Sequence, residues 1–276
     1  MKVITFTKMH GCGNDFIMID NSNHFLQGFD LAKFARDCCN RKFHVGADGL
    51  VLIEQSKLAD FSMRYFNADG SEGEMCGNGA RCVAKYAYQK GIAKNDMQFE
   101  TKAGLHRATI LNDEKVRIYF PHISMNNIQL NKKLHLQNEE IDYHFLQVGV
   151  PHTVIFREEH LFKNSFEKWA KEIRDHEDFS QKGTNVNVVT RKKTDRLYVR
   201  TYERGVEAET LACGSGATAA AIVYALQFDV RPPIVVEMKG GELEIDFVIH
   251  TNEITSITLT GQAQMSFIGS FVYESS

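Results

Sequence analysis

The sequence predicts an α+β protein of two pseudo-symmetric domains, each with short strands curled around one central buried helix. Three observations lead to this prediction: an internal repeat, a predominance of short β-type segments, and two apolar helical segments in equivalent places. The repeat is clearest in two turns, Cys-Gly-Asn-Gly-Ala at 76–80 and Cys-Gly-Ser-Gly-Ala at 213–217, which lie 137 positions apart in a chain of 276 residues. Because this spacing is nearly half the length, we infer an internal duplication.

The same offset relates residues well outside the two turns. A pseudo-two-fold axis between the halves would bring Cys76 and Cys213 to opposite walls of one cleft. We therefore expect half-repeats at 1–119 and 120–262 with the active site in the cleft between them, the boundary being marked also by the polar segment 126–140. The further matched pairs are Gly46 with Gly183, Tyr65 with Tyr202, Glu72 with Glu209, Glu100 with Glu237, and Lys102 with Lys239.

Short β-type segments separated by polar turns dominate both halves, which indicates antiparallel or mixed sheets. In the first half they are 3–7, 16–19, 50–53, 63–66 and 116–120. In the second half they are 153–156, 187–189, 197–202, 234–238, 242–248 and 257–259.

Helices are predicted in few places. One begins with Asp30 as its N-cap, because the residues that follow have the spacing of one apolar helix face, which makes Cys38 a core residue. A second, at 165–175, has one apolar side and should lie on the surface. The first apolar face is formed by Leu31, Phe34, Ala35 and Cys38, and the second by Phe166, Trp169, Ala170 and Ile173.

The segments that follow the two cysteine turns are the most apolar helices. Residues 217–226 read ATAAAIVYAL and are apolar on every side, and their counterpart at 80–88 is only slightly more polar. This pattern is typical of a helix enclosed on all sides. Each is predicted to be the central helix of its domain.

Composition restricts the class of function. The chain is 43% hydrophobic with a net charge of −3, and its charges form no run that would bind nucleic acid or an anionic membrane. It has no signal-peptide pattern and no apolar stretch long enough to span a bilayer. The six cysteines include no C-x-x-C pair, so a structural metal is not expected. We expect a soluble cytoplasmic enzyme with reduced thiols and a small-molecule partner.

The positions of Cys76 and Cys213 suggest chemistry on an amino acid. A cysteine at the start of a buried helix lies beside unpaired backbone N–H groups, which should lower the pKa of its thiol below about 8.5 and can also bind a carboxylate. On opposite faces of one α-carbon, a thiolate would remove the proton and a thiol would return one, inverting the centre without a cofactor.

Cys76 and Cys213 could also be packing residues, or their turns could bind phosphate. A lone cysteine beside glycines is more often a packing residue, but paired equivalent placement favours catalysis, and neither turn matches a phosphate-binding motif. Cys82 corresponds to Ala219 in the repeat and is interpreted as a packing residue. Cys12, in a predicted turn, and Cys39 remain unassigned.

Four blocks make the chain resemble the diaminopimelate epimerase family: MHGCGNDFIMID at 9–20, NADGSEGEMCGNGARC at 67–82, GTNVN at 183–187 and YERGVEAETLACGSGA at 202–217. The resemblance implies cofactor-independent interconversion of LL- and meso-diaminopimelate, for lysine and peptidoglycan precursors. It also implies a homodimer, and a C-terminal segment, 263–276, that returns to the first domain.

The resemblance further assigns the site residues. Cys76 and Cys213 would be the acid–base pair, with protonation tuned by His152 and Glu203, and Arg204 would pair with the distal carboxylate. An inert amino-acid end needs such a cation, together with amides and an anion for its ammonium group. The substrate-binding set would be Asn14, Asn67, Gly77, Asn78, Asn185, Glu203, Arg204, Gly214 and Ser215.

Three departures from the family pattern leave alternatives open. Val150 stands where asparagine is common, Gly49 where many members have glutamine, and the stretch 205–209 is one residue longer than usual. A racemase or epimerase of the same mechanism acting on lanthionine, histidine or lysine is one alternative. A non-catalytic protein that binds an amino acid is the other.

Overall fold

The computed structural model describes residues 1–158, 166–179 and 183–274. The chain divides into two compact units, the first formed by 1–119 with 260–276 and the second by 120–259. Each contains mixed sheet and helices, which confirms the predicted α+β class.

The first unit contains the two ends of the chain. Its helices are α1 (Leu31–Cys39) and α2 (Gly77–Gln89). Its strands are β1 (Lys2–Gly11), β2 (Asn14–Asp20), β3 (Gly49–Glu54), β4 (Phe61–Asn67), β5 (Glu72–Gly73), β6 (Asp96–Thr101), β7 (Gly104–Ile110), β8 (Lys115–Tyr119) and β19 (Gln264–Tyr273).

The second unit contains helices α3 (Phe166–Arg174) and α4 (Gly214–Phe228) and a 3-10 turn, Met125–Asn127. Its strands are β9 (Ile123–Ser124), β10 (Gln129–His135), β11 (Glu140–Val148), β12 (Val150–Phe156), β13 (Asn185–Lys193), β14 (Arg196–Glu203), β15 (Ala208–Thr210), β16 (Ile234–Met238), β17 (Gly241–Ile249) and β18 (Glu253–Gln262), whose last residues belong to the first unit.

Strand pairing follows the same plan in both units. In the first, β1 pairs with β2 antiparallel, β2 with β3 parallel, β3 with β4 antiparallel and β4 with β6 parallel. In the second, β11, β12, β13, β14 and β16 repeat these four pairings in the same order. The outer partner of β1 is β19, and the outer partner of β11 is β10. The last strand of the chain therefore has the role in the first unit that β10 has in the second.

Two predicted helices match the structure closely. Asp30 caps α1, its carboxylate accepting the Lys33 backbone N–H at 3.0 Å, and Cys38 is fully buried as expected. In α3 the apolar side is buried and the charged side exposed, which confirms a surface helix. Its predicted first residue, Ser165, lies outside the described residues.

Helices α2 and α4 are the central helices of their units. Residues 78–87 of α2 and 216–225 of α4 are buried. Unlike α4, α2 buries two charged side chains, Arg81 and Lys85. The Lys85 ammonium group is satisfied by backbone carbonyls of Asp113 and Ala263.

Several strands were missed because their outward faces are polar. The polar segment 126–140, taken as a mark of the domain boundary, includes β10, where Lys132 and Lys133 are exposed. In β11, Ile141 and Tyr143 are buried whereas Glu140 and Asp142 face outward. The amino-acid composition of this half-buried strand is therefore that of a linker.

Close packing at the start of α4 gives a testable prediction. A Cβ atom at Gly216 would lie 2.3 Å from Asn187 Oδ1, whereas one at Gly77, in α2, would meet nothing within 4 Å. We expect Gly216→Ala to lower the free energy of unfolding by about 1–3 kcal/mol, as overpacking does. Gly77→Ala is the matched control and should not destabilise the protein. Urea unfolding of both variants measures this, and equal stabilities would contradict the packing described.

Candidate active site

Cys76 is the N-cap residue of α2. Its backbone is extended (φ −131°, ψ 119°), and its carbonyl accepts the Ala80 N–H at 2.7 Å, the first bond of the helix. The N–H groups of the first turn have no partner within the helix, and the space beside Gly77 is open among the described residues. The half-buried thiol therefore lies beside donors that can bind an anion.

Asn14 holds the Cys76 thiol in one orientation. Its Nδ2 donates to the Asp48 carboxylate at 2.8 Å, and since a carboxylate only accepts, its Oδ1 must face the other way. That oxygen accepts from Asn78 Nδ2 at 3.2 Å and lies 3.7 Å from Cys76 Sγ. A protonated Cys76 thiol can donate to this oxygen.

Arg81 fixes the other end of this hydrogen-bond chain. Its guanidinium is fully buried and donates to Asn78 Oδ1 at 2.8 Å, to the Gln262 carbonyl at 3.2 Å and to the Gly77 carbonyl at 3.3 Å. It also lies 3.7 Å from Cys12 Sγ, which gives that unassigned cysteine a partner. Arg81 is a site residue that the sequence did not predict. A charged side chain in a helix predicted to be enclosed is a signal, but Lys85 shares it, so only the contacts distinguish Arg81.

Asn67 lies at the end of β4 in the same unit. Its Oδ1 accepts from the Tyr65 hydroxyl at 2.7 Å, and its Nδ2 donates to Ser71 Oγ at 3.0 Å. Gly49 has no room for a side chain, because a Cβ there would lie 2.5 Å from the Tyr65 ring. The tyrosine occupies the space into which a larger residue at position 49 would extend.

Cys213 occupies the equivalent place at the start of α4 but has a different environment. It is 5% exposed, and its Sγ lies 3.6 Å from Ser215 Oγ. Burial, and next the negative charge of Glu203, raise the pKa of the Cys213 thiol well above its usual value, against hydrogen bonds from Ser215 and Gly216 that lower it. The prediction of a lowered thiol pKa is therefore wrong for Cys213, because desolvation outweighs the helix N-terminus.

Glu203 is the acidic neighbour of this thiol. Burial raises the pKa of the Glu203 carboxyl, while hydrogen bonds from Thr210 and Cys213 oppose that shift. The Thr210 hydroxyl donates to it at 2.6 Å. The structure thus brings the side chains of Glu203, Cys213 and Ser215 together. Gly214, between the last two, is the first residue of α4.

His152 is fully buried and neutral. The Thr153 carbonyl can only accept, so the Asn187 atom 3.0 Å from it is Nδ2, which also lies 3.2 Å from His152 Nδ1. Nδ1 is therefore the acceptor, and the ring proton is on Nε2, which has no partner among the described residues. Burial, followed by the charge of Arg204, lowers the pKa of His152 to about 3.

Asn185 and Arg204 lie beside this histidine. Asn185 is the β13 partner of His152, and its Oδ1 accepts the Arg204 backbone N–H at 2.8 Å. The Arg204 guanidinium, half-buried, forms no ion pair within the described part of the chain. It is a cation available to an anionic ligand. Val150 is half-buried and faces Val148 across the β11–β12 turn, so it adds no amide here.

Within residues 1–158, 166–179 and 183–274 no three His, Cys, Asp or Glu side chains cluster as a metal site would require. Over the same ranges no helix has the length and apolar character needed to span a membrane.

Comparison with known proteins gives a consistent result. The sequence model of the family described as diaminopimelate epimerase matches residues 6–123 and 144–266. The diaminopimelate epimerase of Hydrogenobaculum sp. (strain Y04AAS1) is 41% identical over 280 residues, covering 97% of this chain and 98% of the relative. That of Aquifex aeolicus (strain VF5) is 42% identical over 275 residues, covering 96% of each.

Solved structures share the fold at much lower identity. A phenazine biosynthesis protein of the PhzF family from Bacillus anthracis gives a TM-score of 0.73 at 15% identity, covering 99% of this chain and 100% of the other. The similarity confirms the predicted fold and carries no information on activity.

The buried His152 predicts a particular pH dependence of stability. Its folded pKa of about 3 lies below the ordinary histidine value of 6.5, so the unfolded chain binds the proton first as the pH falls. Stability is then lost between pH 6.5 and 3, at up to about 1.4 kcal/mol per pH unit. We expect His152→Asn to have a shallower dependence in urea unfolding across this window. His122→Asn, at an exposed position, is the control, and identical slopes for the wild type and His152→Asn would contradict the burial.

Proposed function

Because this chain belongs to the diaminopimelate epimerase family, we propose that it interconverts LL- and meso-diaminopimelate by a two-base mechanism with Cys76 and Cys213. The observation that supports this most strongly is the pair of thiols at equivalent helix N-termini, each with its own polar partner. The proposal requires both thiols to act on one α-carbon.

The proton inventory of the reaction is simple. One sulfur, as a thiolate, takes the α-proton, so that a C–H bond breaks and an S–H bond forms. The other sulfur gives its proton to the opposite face, so that an S–H bond breaks and a C–H bond forms. The two cysteines have then exchanged protonation states, and the reverse reaction uses them in the opposite roles.

The environments of the thiols suggest their starting roles. The raised pKa of Cys213 keeps it protonated, so it begins as the proton donor. Cys76 is then the base. When substrate binds, its contact with Asn14 breaks and its proton leaves to solvent, which gives the thiolate that removes the α-proton. The N–H groups at Gly77 and Asn78, and at Gly214 and Ser215, would stabilise the charge that develops on the substrate carboxylate.

The distal end of the substrate needs separate recognition. Arg204 is the cation for the distal carboxylate, and Asn185, whose Oδ1 is occupied by a backbone N–H, presents its Nδ2 as a donor. Asn67 is a further amide for this end. Asn14 lies beside Cys76 and Glu203 beside Cys213, so we place their substrate contacts near the thiols, with Glu203 as the anion for an ammonium group. Lysine has no distal carboxylate, and histidine has a ring instead, so an available arginine favours diaminopimelate over both.

The remaining features of the proposal come from the family resemblance. We propose that the enzyme works without a metal or cofactor, as a homodimer, in the cytoplasm. Size-exclusion chromatography with light scattering tests the dimer, and chelator treatment before assay tests the independence from metals.

Replacing each thiol tests the mechanism. We expect Cys76→Ser and Cys213→Ser each to slow inversion of LL-diaminopimelate by at least about 100-fold, because each thiol serves one face. Chiral chromatography of the product measures this. Cys82→Ala is the matched control on α2, since Cys82 is buried and the repeat has alanine at the equivalent position 219. A non-catalytic binding protein would show no wild-type turnover and unchanged ligand binding in both variants.

Replacing the distal cation tests the substrate. We expect Arg204→Gln to lower kcat/KM for LL-diaminopimelate by at least about 10-fold, the effect of losing about 1.4 kcal/mol of a charge-assisted contact. Any turnover of lysine should be unaffected, because lysine lacks the group that Arg204 binds. Arg196→Gln, at a surface ion pair with Glu242, is the control. A higher wild-type kcat/KM for lysine, histidine or lanthionine than for diaminopimelate would show that diaminopimelate is not the substrate.

A further inference from the structure

Tyr65 occupies a space that two glycines leave open. It lies on β4 directly opposite Gly73 on β5, and diagonally across from Gly49 on β3. A Cβ atom at Gly73 would lie 2.7 Å from the tyrosine Cδ1, and one at Gly49 would lie 2.5 Å from its Cε2. The ring also meets Phe16 edge-on, with centroids 6.1 Å apart. The ring can take this position only because both neighbouring strands have glycine beside it.

The Tyr65 hydroxyl begins a hydrogen-bond chain that ends on a carboxylate. It donates to Asn67 Oδ1 at 2.7 Å, Asn67 Nδ2 donates to Ser71 Oγ at 3.0 Å, and Ser71 Oγ donates to Asp69 Oδ1 at 2.6 Å. The hydroxyl and backbone N–H of Ser71 lower the pKa of the Asp69 carboxyl, which keeps it ionised at neutral pH.

The direction of every bond in this chain follows from Asp69. A carboxylate only accepts, so the Ser71 hydroxyl proton is directed to it, and Ser71 Oγ can only accept from Asn67. The Asn67 atom facing Ser71 is therefore Nδ2, its Oδ1 faces Tyr65, and the tyrosine must donate. One N–H and one lone pair of the amide remain, both held in fixed directions.

We propose that Tyr65 is a positioning residue of the substrate site, which sets the orientation of the Asn67 amide and through it the affinity for the distal amino-acid end. This rests on the proposed function, in which Asn67 is one of the amides that bind that end. Without the hydroxyl, Ser71 alone holds the amide, and the substrate must pay for ordering it on binding.

Removing the hydroxyl alone tests the proposal. We expect Tyr65→Phe to raise KM for LL-diaminopimelate about 2- to 10-fold, the effect of one neutral hydrogen bond, with kcat changed less than about twofold. In an Asn67→Ala background, which itself raises KM, Tyr65→Phe should have no further effect, because Tyr65 acts through Asn67. An equal effect in both backgrounds, or an unchanged KM in Tyr65→Phe, would overturn the proposal.

Tyr273→Phe is the matched control for stability. Tyr273 belongs to the same unit and donates to Asp37 Oδ2 at the same 2.7 Å, but it lies in a different core cluster from Tyr65. Because its acceptor is a carboxylate, Tyr273→Phe should lose at least as much thermal stability as Tyr65→Phe, and only Tyr65→Phe should change KM. A KM increase of equal size in Tyr273→Phe would show a general structural effect and reject a specific role for Tyr65.

A second readout separates this inference from the proposed function. Absence of wild-type turnover of diaminopimelate would reject the proposed function. The Asn67 side-chain amide resonances, identified by their loss in Asn67→Ala, would still report its orientation. Tyr65→Phe should shift or broaden these resonances, whereas Tyr273→Phe should not. Unchanged resonances in Tyr65→Phe would show that the hydroxyl does not hold the amide.

Discussion

Each unit is organised around one buried helix, α2 in the first and α4 in the second. When all sides of a helix are enclosed, its first turn is where unpaired backbone N–H groups can meet a ligand. Each unit places a cysteine at this point, Cys76 before α2 and Cys213 before α4. The burial that leaves the first-turn N–H groups as the accessible part of the helix also removes solvent from the thiol. At Cys213 this desolvation is the larger effect, and the pKa of the thiol rises.

Groups able only to donate or only to accept fix three asparagine side chains of the candidate site. The Asp48 carboxylate orients Asn14, the Arg81 guanidinium orients Asn78, and the backbone N–H of Arg204 orients Asn185. An asparagine held in this way presents one defined donor or acceptor and need not reorganise during the reaction. Electrostatic catalysis depends on preorganisation of this kind.

The sequence predicted the features that depend on pattern. The 137-residue repeat and the apolar segments after the cysteines were enough to identify the two central helices, and the spacing of Leu31, Phe34 and Cys38 located α1 with its Asp30 cap. The strand β10 and part of β11 were not predicted, because their outer faces are polar. A half-buried strand with exposed lysines has the composition of a loop.

What the sequence could not supply depended on three-dimensional surroundings. The sign of the Cys213 pKa shift is a balance between burial and helix donors, and the sequence shows only the donors. Arg81 became meaningful only when its contacts with Asn78 and Cys12 were seen. Gly49 looked like the loss of a polar group, but the structure shows that Tyr65 fills the space beside it.

The proposed reaction requires two different sulfurs acting on opposite faces of one carbon. Its most direct test is to follow LL-diaminopimelate in deuterated water at early conversion and to measure deuterium in both product and remaining substrate. The newly formed meso product should carry solvent deuterium at the inverted carbon, because the donating thiol exchanges with solvent before it gives its proton. The remaining substrate should carry almost none, because the thiol that removed the α-hydrogen can return only that hydrogen. Product that retains the original hydrogen, or deuterium entering the substrate without inversion, would contradict it.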